Sequence, residues 1–172
     1  NSTTIGDFVR MRAWVTAHLL WNPRANAQTL CHEFMTGYYG AAAPWLEQYL
    51  ALIGRDARSI DPGLKLGCYQ THAQWLKPTT MAAGLDLFRR AAKAVENDPV
   101  IAARVRREQA PLLTAILDGG NYVRQRIGNG PRPETMLLEL ATLGRQWQNT
   151  YYAENPECKF QDYIAEFHNS LI

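Results

Sequence analysis

Apolar residues recur every three or four positions along most of this chain, which is the spacing of one face of an α-helix. In the first such segment, Phe8, Met11, Val15 and Leu19 follow that spacing. The segment is preceded by Asp7, a residue type that caps helix N-termini. No stretch alternates apolar and polar residues well enough to predict a β-sheet. The chain is therefore predicted to be all-α.

Capping and breaker residues divide the pattern into about six to seven helices. Asn26 and Asp98 are predicted N-caps, and the glycines at 37 and 40 are predicted to break the second helix. Pro111 is predicted to kink or split its helix, because proline lacks the backbone N–H that a helix needs. We expect residues 1–172 to form a single domain, an irregular helical bundle.

One long irregular segment is predicted near residues 59–78, where a turn signal and a loose apolar pattern interrupt the helices. This segment carries Tyr69, His72 and Trp75. Their apolar ring faces and polar edges suit the recognition of a sugar, or the capping of an adjacent domain. A loop pinned by its own aromatic side chains is the alternative. We predict Tyr69, His72 and Trp75 as ligand-binding residues.

The composition describes a globular protein and narrows the choice of partners. Of the 172 residues, 47% are hydrophobic and 20% are charged, with a formal net charge of +2; these values argue against intrinsic disorder. No apolar run reaches the ~18 residues of a membrane span. The balanced charge predicts no nucleic-acid partner. A small basic cluster at residues 104–107 is predicted to be a solvated helix face or a set of ion-pair partners.

No complete catalytic or metal-binding motif is present. Cys31 and His32 are adjacent, and adjacent residues of a helix point about 100° apart, so they are not expected to form a catalytic dyad. Cys68 and His72 have the spacing of half a zinc site, and a small metal enzyme that uses them is one hypothesis. With Cys158 the cysteine count is odd, which excludes a disulfide-rich scaffold. We predict no catalytic residue, no metal and no cofactor.

Two groups of short motifs stand out in the first two thirds of the chain. The first group is Leu19-Leu20-Trp21-Asn22-Pro23, Glu33-Phe34, Tyr38-Tyr39-Gly40, Ala42-Ala43 and Tyr49-Leu50. The second group is Leu76-x-Pro78, Ala91-Ala92, Asp98-Pro99, Arg104-Val105-Arg106 and Leu112-Leu113. Together these motifs resemble the helical region of a bacterial family of glycoside-hydrolase-like proteins. The resemblance spans about residues 7–117, and Asn22 stands where that family usually has aspartate.

In that family a helical region follows a catalytic-type (β/α)8 barrel, a layout similar to that of bacterial α-glucuronidases. The resemblance implies a non-catalytic accessory domain of a secreted or periplasmic carbohydrate-active protein. Its partners would be an upstream barrel of the same polypeptide and an oligosaccharide. The start at Asn1, without a leader, adds the expectation that the chain is the C-terminal part of a longer protein. A free-standing helical module that binds another protein is the alternative.

Overall fold

The computed structural model describes residues 6–59, 75–128, 130–147 and 159–169. These residues are almost entirely helical, which confirms the all-α prediction. A short 3-10 turn, Gly40–Ala42, joins the second helix to the third. The helices are α1 (Val9–Trp21), α2 (Ala27–Tyr39), α3 (Ala43–Arg58), α4 (Pro78–Ala94), α5 (Pro99–Asp118), α6 (Gly120–Arg126), α7 (Pro133–Gln146) and α8 (Phe160–Asn169). The short helix α6 was not among those predicted from the pattern.

Helix α5 lies at the centre of the bundle. It packs against α2, α4, α6 and α7, while α3 packs along α4, α1 along α2, and α8 along α7. Leu112, Ile116 and Leu117 of α5 are completely buried. Tyr39 and Phe88, from α2 and α4, are equally buried. Burial of these large apolar side chains, at about 1.5–3 kcal/mol each, is the main source of stability.

Two of the three predicted helix caps are confirmed. The Asn26 side chain accepts a hydrogen bond from the Thr29 N–H at 3.0 Å, and Asp98 caps α5 in the same way. The prediction that Asp7 caps α1 is wrong, because the N-cap of α1 is Phe8 and no side chain caps it. Asp7 is instead half-buried next to the start of α1.

The break predicted at Gly37 to Gly40 occurs at Gly40, and the split predicted at Pro111 does not occur. Gly37 lies inside α2, which continues to Tyr39 and ends at Gly40, where φ is +50°. Pro111 lies inside α5, which remains one element from Pro99 to Asp118. An internal proline costs about 3 kcal/mol. Four buried apolar side chains follow it within two turns, at positions 112, 113, 116 and 117, and their burial outweighs that cost.

In the described part of the chain, no helix is both long and apolar enough to cross a lipid bilayer.

Gly144 lies where α7 packs against α8. A Cβ atom at this position would overlap the ring of Phe160. We expect Gly144→Ala to lower the free energy of unfolding by about 1–3 kcal/mol, since the crowded ring must move. Gly37→Ala is the matched control, because nothing lies within 4 Å of its added methyl group. The control should stabilise the protein by about 0.5–1 kcal/mol. Urea unfolding checks both; wild-type stability of Gly144→Ala would contradict the packing described.

Candidate functional site

Helix α1 carries apolar side chains on two opposite sides. Met11 and Val15 point into the core and are buried. The residues at positions 13, 17, 20 and 21 have the i, i+4, i+7, i+8 spacing of a single helix face, and all four are exposed. Leu20 is 79% exposed and Trp21 is 92% exposed. We call this surface, made of Ala13, Ala17, Leu20 and Trp21, the outer face of α1.

The outer face of α1 ends at an ordered corner. The Asn22 N–H donates to the carbonyl oxygen of His18 at 2.8 Å and closes the helix. The Asn22 side-chain oxygen, Oδ1, then accepts from the Arg24 N–H at 3.2 Å. The Asn22 backbone carbonyl oxygen accepts from the Ala25 N–H at 3.0 Å. Trp21 therefore projects from a fixed turn of backbone.

Aromatic packing holds the inner side of α1 in place. The Trp14 ring lies 5.7 Å from the ring of Phe34 on α2. Phe8, at the start of α1, is edge-on to Tyr39 at 6.1 Å and tilted against Tyr49 at 6.3 Å. Such ring pairs add about 0.5–1.5 kcal/mol each beyond their buried area. The bundle thus presents the outer face of α1 on a rigid support.

Phe8 also connects α1 to α5 through a buried carboxyl group. Its N–H donates to Glu108 Oε2 at 2.9 Å, and Glu108 is only 3% exposed. Phe8 has a φ of +44°, a backbone conformation that is uncommon for residues other than glycine. The hydrogen bond and the burial of the Phe8 ring compensate for this strained backbone.

Burial shifts the pKa values of the acidic groups around Phe8. It raises the pKa of Glu108 above its usual range, against the opposing effects of Tyr39, the Phe8 N–H and Arg107. It also raises the pKa of Asp7, which Arg12 partly offsets. The pKa of the Tyr39 hydroxyl is raised by burial and by the nearby Glu108 charge. Because Tyr39 and Glu108 are closed to solvent, this cluster has a structural role and is not an accessible acid–base site.

The predicted irregular segment is anchored at both ends. Asp56 of α3 is buried, and its Oδ2 accepts from the Lys77 N–H at 3.0 Å, just before α4 begins. The Lys77 Nζ lies 3.7 Å from Asp56 Oδ1 and donates to Ser59 Oγ at 3.3 Å. Leu76, the residue before Lys77, is buried. The end of α3 and the start of α4 are therefore held together.

The three predicted ligand-binding residues differ in what the structure says of them. Tyr69 and His72 lie outside the described residues, as does Cys68. Trp75 stands at the base of the segment and is half-buried against the core. The ligand-binding role of all three stays a prediction. Within residues 6–59, 75–128, 130–147 and 159–169, no three His, Cys, Asp or Glu side chains are grouped to hold a metal ion.

Two further places in the fold lack the chemistry of an active site. His32 Nδ1 lies 2.7 Å from Glu47 Oε1 on the surface, so this histidine pairs with a carboxylate of α3. A cleft of about 410 Å³ beside α4 has Asp86 and Arg89 at its rim. Hydrogen bonds from Arg89 and Arg90 lower the pKa of Asp86, so its charge is compensated. The outer face of α1 is the stronger candidate, because its apolar side chains have no partner among the described residues.

Sequence reasoning missed that face. The first apolar stripe, Phe8 to Leu19, was sufficient to predict the helix. Ala13 and Ala17, on the opposite side, do not by themselves indicate a contact surface. The available signal was the recurrence of apolar residues at 13, 17, 20 and 21 on the side facing away from the stripe.

Comparison with known proteins adds one finding. Residues 1–51 match the model of a family described as "Domain of unknown function (DUF4838)". No curated protein and no solved structure matches the chain. The matched residues include α1, α2 and the first half of α3, and therefore the whole outer face of α1. The N-terminal part of this chain is thus similar to a domain whose description names no activity.

Proposed function

We propose that this chain is a non-catalytic helical accessory domain of a carbohydrate-active, glycoside-hydrolase-like protein. In this proposal it packs on a (β/α)8 barrel of the same polypeptide. The observation that carries the proposal is the outer face of α1. Leu20 and Trp21 are its most exposed side chains, and they belong to the run of residues 19–23 that carries the resemblance to the barrel-containing family.

The physical argument concerns the cost of leaving this face in water. Burying a large apolar side chain is worth about 1.5–3 kcal/mol, and a helix that is apolar on both sides is typically covered on both sides. Tryptophan is among the residues that contribute most to interfaces. The small side chains of Ala13 and Ala17 allow another element to approach α1 closely. The face is therefore suited to a permanent contact with a neighbouring domain.

Three acidic groups of the described residues fit a non-catalytic role. Glycoside hydrolysis needs two accessible carboxyl groups about 5–10 Å apart. Glu108 is buried, Asp7 is half-buried, and Asp86 is hydrogen-bonded to two arginines. In the proposal, the catalytic carboxylates belong to the strand ends of the barrel. The secreted or periplasmic location follows from the resemblance and forms part of the same proposal.

The proposal includes a role in substrate binding for the predicted irregular segment near residues 59–78. The Lys77 N–H, just before α4, donates to Asp56 of α3, and we propose that Tyr69, His72 and Trp75, which lie between these two helices in the sequence, contribute to sugar binding in the barrel cleft. Alanine at each position, in the polypeptide that joins barrel and bundle, should weaken sugar binding by about tenfold, or 1.4 kcal/mol. Calorimetric titration with oligosaccharides measures this. Unchanged sugar binding and turnover in all three variants would disprove the role.

The gene itself provides the first experiment. The reading frame upstream of Asn1 should encode a barrel of roughly 250 residues. The purified bundle should have no glycosidase activity of its own, because in this proposal the catalytic carboxylates belong to the barrel. A reading frame without a barrel would contradict the proposal. It would favour the alternative that the outer face of α1 binds a separate protein.

A further inference from the structure

Five side chains from four helical segments form a continuous row, in which Arg10 is exposed and the other four are half-buried. In order they are Arg104, Tyr38, Arg10, Trp147 and Arg107. The Arg104 guanidinium lies 4.2 Å from the centre of the Tyr38 ring, and Arg10 lies 6.0 Å from the same ring. Arg10 is also 5.8 Å from the Trp147 ring, which Arg107 approaches to 4.8 Å. We call this set the arginine–aromatic row.

The fold explains how the row assembles. Arg104 and Arg107 are three residues apart on α5 and therefore lie on one side of that helix. Arg10 comes from the first turn of α1, Tyr38 from the last turn of α2, and Trp147 from the end of α7. Contact with aromatic rings holds each guanidinium in a defined orientation, through a cation–π attraction of about 0.5–1 kcal/mol at an exposed site.

The three arginines of the row lack a carboxylate partner. Among the described residues, none of them forms an ion pair, whereas Arg89 and Arg90 share Asp86. A guanidinium has five N–H donors, yet the row makes one hydrogen bond within the described structure, from Arg104 to the Tyr38 carbonyl oxygen at 2.9 Å. The buried Glu108 is not close enough to Arg107 for an ion pair. The predicted alternatives for residues 104–107, a solvated face or ion pairs, do not include this stacked arrangement.

We propose that the arginine–aromatic row is a docking surface for an acidic protein partner. Guanidinium groups form paired, forked hydrogen bonds with carboxylates, and oriented guanidiniums that form no ion pair with a described residue are complementary to a surface rich in aspartate and glutamate. Trp, Tyr and Arg are also the residue types enriched at the centres of protein interfaces. This inference does not depend on the proposed function, because it concerns other residues and another kind of contact.

The same observations argue against other anionic or sugar ligands. The Tyr38 ring already contacts Phe34, Arg10 and Arg104, and the Trp147 ring contacts Arg10 and Arg107, so little ring surface is left for a sugar to stack on. A nucleic-acid surface needs a larger excess of positive charge than +2.

The spacing of the row sets the geometry of the partner. Arg104 and Arg10 contact the same Tyr38 ring, and Arg107 and Arg10 contact the same Trp147 ring. The distances to these rings place Arg104 and Arg107 each at most about 11 Å from Arg10. Residues four and seven apart on one face of a helix are separated by about 6 and 10.5 Å along its axis. A helix with glutamates at such positions can therefore reach successive arginines of the row.

The experiment uses the full chain and a labelled probe. The probe is an alanine-based helical peptide with four glutamates on one face, at positions i, i+4, i+7 and i+11. A control peptide has glutamine at the same four positions. Fluorescence anisotropy at low salt should show that the glutamate peptide binds the full chain at least tenfold more tightly than the glutamine peptide does. Added salt should weaken the binding of the glutamate peptide. Arg10→Gln with Arg107→Gln should remove most of this difference. The matched control, Arg55→Gln with Arg58→Gln, removes two exposed charges from α3 and should change affinity less than twofold.

A second variant separates docking from a purely structural role. Arg10→Lys with Arg107→Lys keeps the charge but loses the planar fork, so it should fold normally and still bind the glutamate peptide several-fold more weakly than wild type. Equal binding of the two peptides to wild type would overturn the proposal. So would an equal loss in the Arg55/Arg58 control, or tighter binding of a single-stranded oligonucleotide than of the glutamate peptide.

Discussion

Replacing Glu108 by alanine is expected to cost about 3 kcal/mol or more of unfolding free energy. The substitution removes the acceptor of the Phe8 N–H and leaves that donor unsatisfied in the interior. It also opens a cavity beside Tyr39, which is fully buried. Phe8 would then hold its positive φ without its hydrogen bond. Urea unfolding at neutral pH measures the loss, and a cost below about 1 kcal/mol would contradict this role of Glu108.

Glu108→Gln tests how the charge at position 108 affects stability, with little change in the shape of the side chain. Glutamine keeps an acceptor for the Phe8 N–H but cannot ionise. Because burial raises the folded-state pKa of Glu108 above its ordinary value of 4.5, the folded protein binds more protons than the unfolded chain between these two pKa values. Stability contributed by Glu108 is therefore highest below pH 4.5 and falls as pH rises through the folded pKa. Asp7 acts with the same sign, starting from 3.8.

The measurement is a series of urea unfolding curves from pH 4.5 to pH 8. The stability of Glu108→Gln should rise relative to wild type across this range, since the variant lacks the Glu108 contribution. The range avoids Asp86, whose lowered pKa has the opposite effect on stability in more acidic solution. A stability difference between wild type and Glu108→Gln that does not change with pH would be evidence against a raised pKa.

Trp21→Ser should weaken the contact between the bundle and the proposed barrel by at least 2 kcal/mol, or about 30-fold in Kd. The indole is 92% exposed in the bundle itself, so the substitution should change the bundle's own stability by no more than about 0.5 kcal/mol. A loss of affinity without a loss of stability identifies a contact residue. Titration calorimetry between separately produced barrel and bundle provides the affinities.

Tyr122→Ser is the control for that experiment. Tyr122 is also an exposed aromatic residue, at 61%, but it lies on α6, away from the outer face of α1. Its substitution should leave the affinity within about twofold of wild type. Equal effects of the two substitutions, or none from Trp21→Ser, would show that the outer face of α1 is not the contact surface.

The features that sequence analysis predicted correctly are local ones. Asn26 and Asp98 cap helices by accepting from N–H groups two or three residues away, so a short window contains the whole interaction. Asp7 has the same residue type and the same position before an apolar stripe. Its environment, however, depends on Glu108, about a hundred residues away along the chain. No local pattern distinguishes such a buried carboxylate from a cap.

Both candidate surfaces also depend on the assembled fold. The spacing of residues 13, 17, 20 and 21 is visible in the sequence, but their exposure depends on which side of α1 contacts α2. The arginine–aromatic row combines positions 10, 38, 104, 107 and 147, which only the packing of α1, α2, α5 and α7 brings together. The residue types were predictable from the sequence and their juxtaposition was not.

Chemical labelling at position 17 tests the central claim most directly. Ala17 lies in the middle of the outer face of α1, and Ala51 is an equally exposed alanine on α3. Each is replaced by cysteine, and its rate of reaction with a thiol reagent is measured in the bundle alone and in the polypeptide that joins bundle and barrel. We predict that Ala17→Cys reacts freely in the bundle and is protected in the joined polypeptide, while Ala51→Cys reacts in both. Equal reactivity of Ala17→Cys in the two proteins would contradict the account.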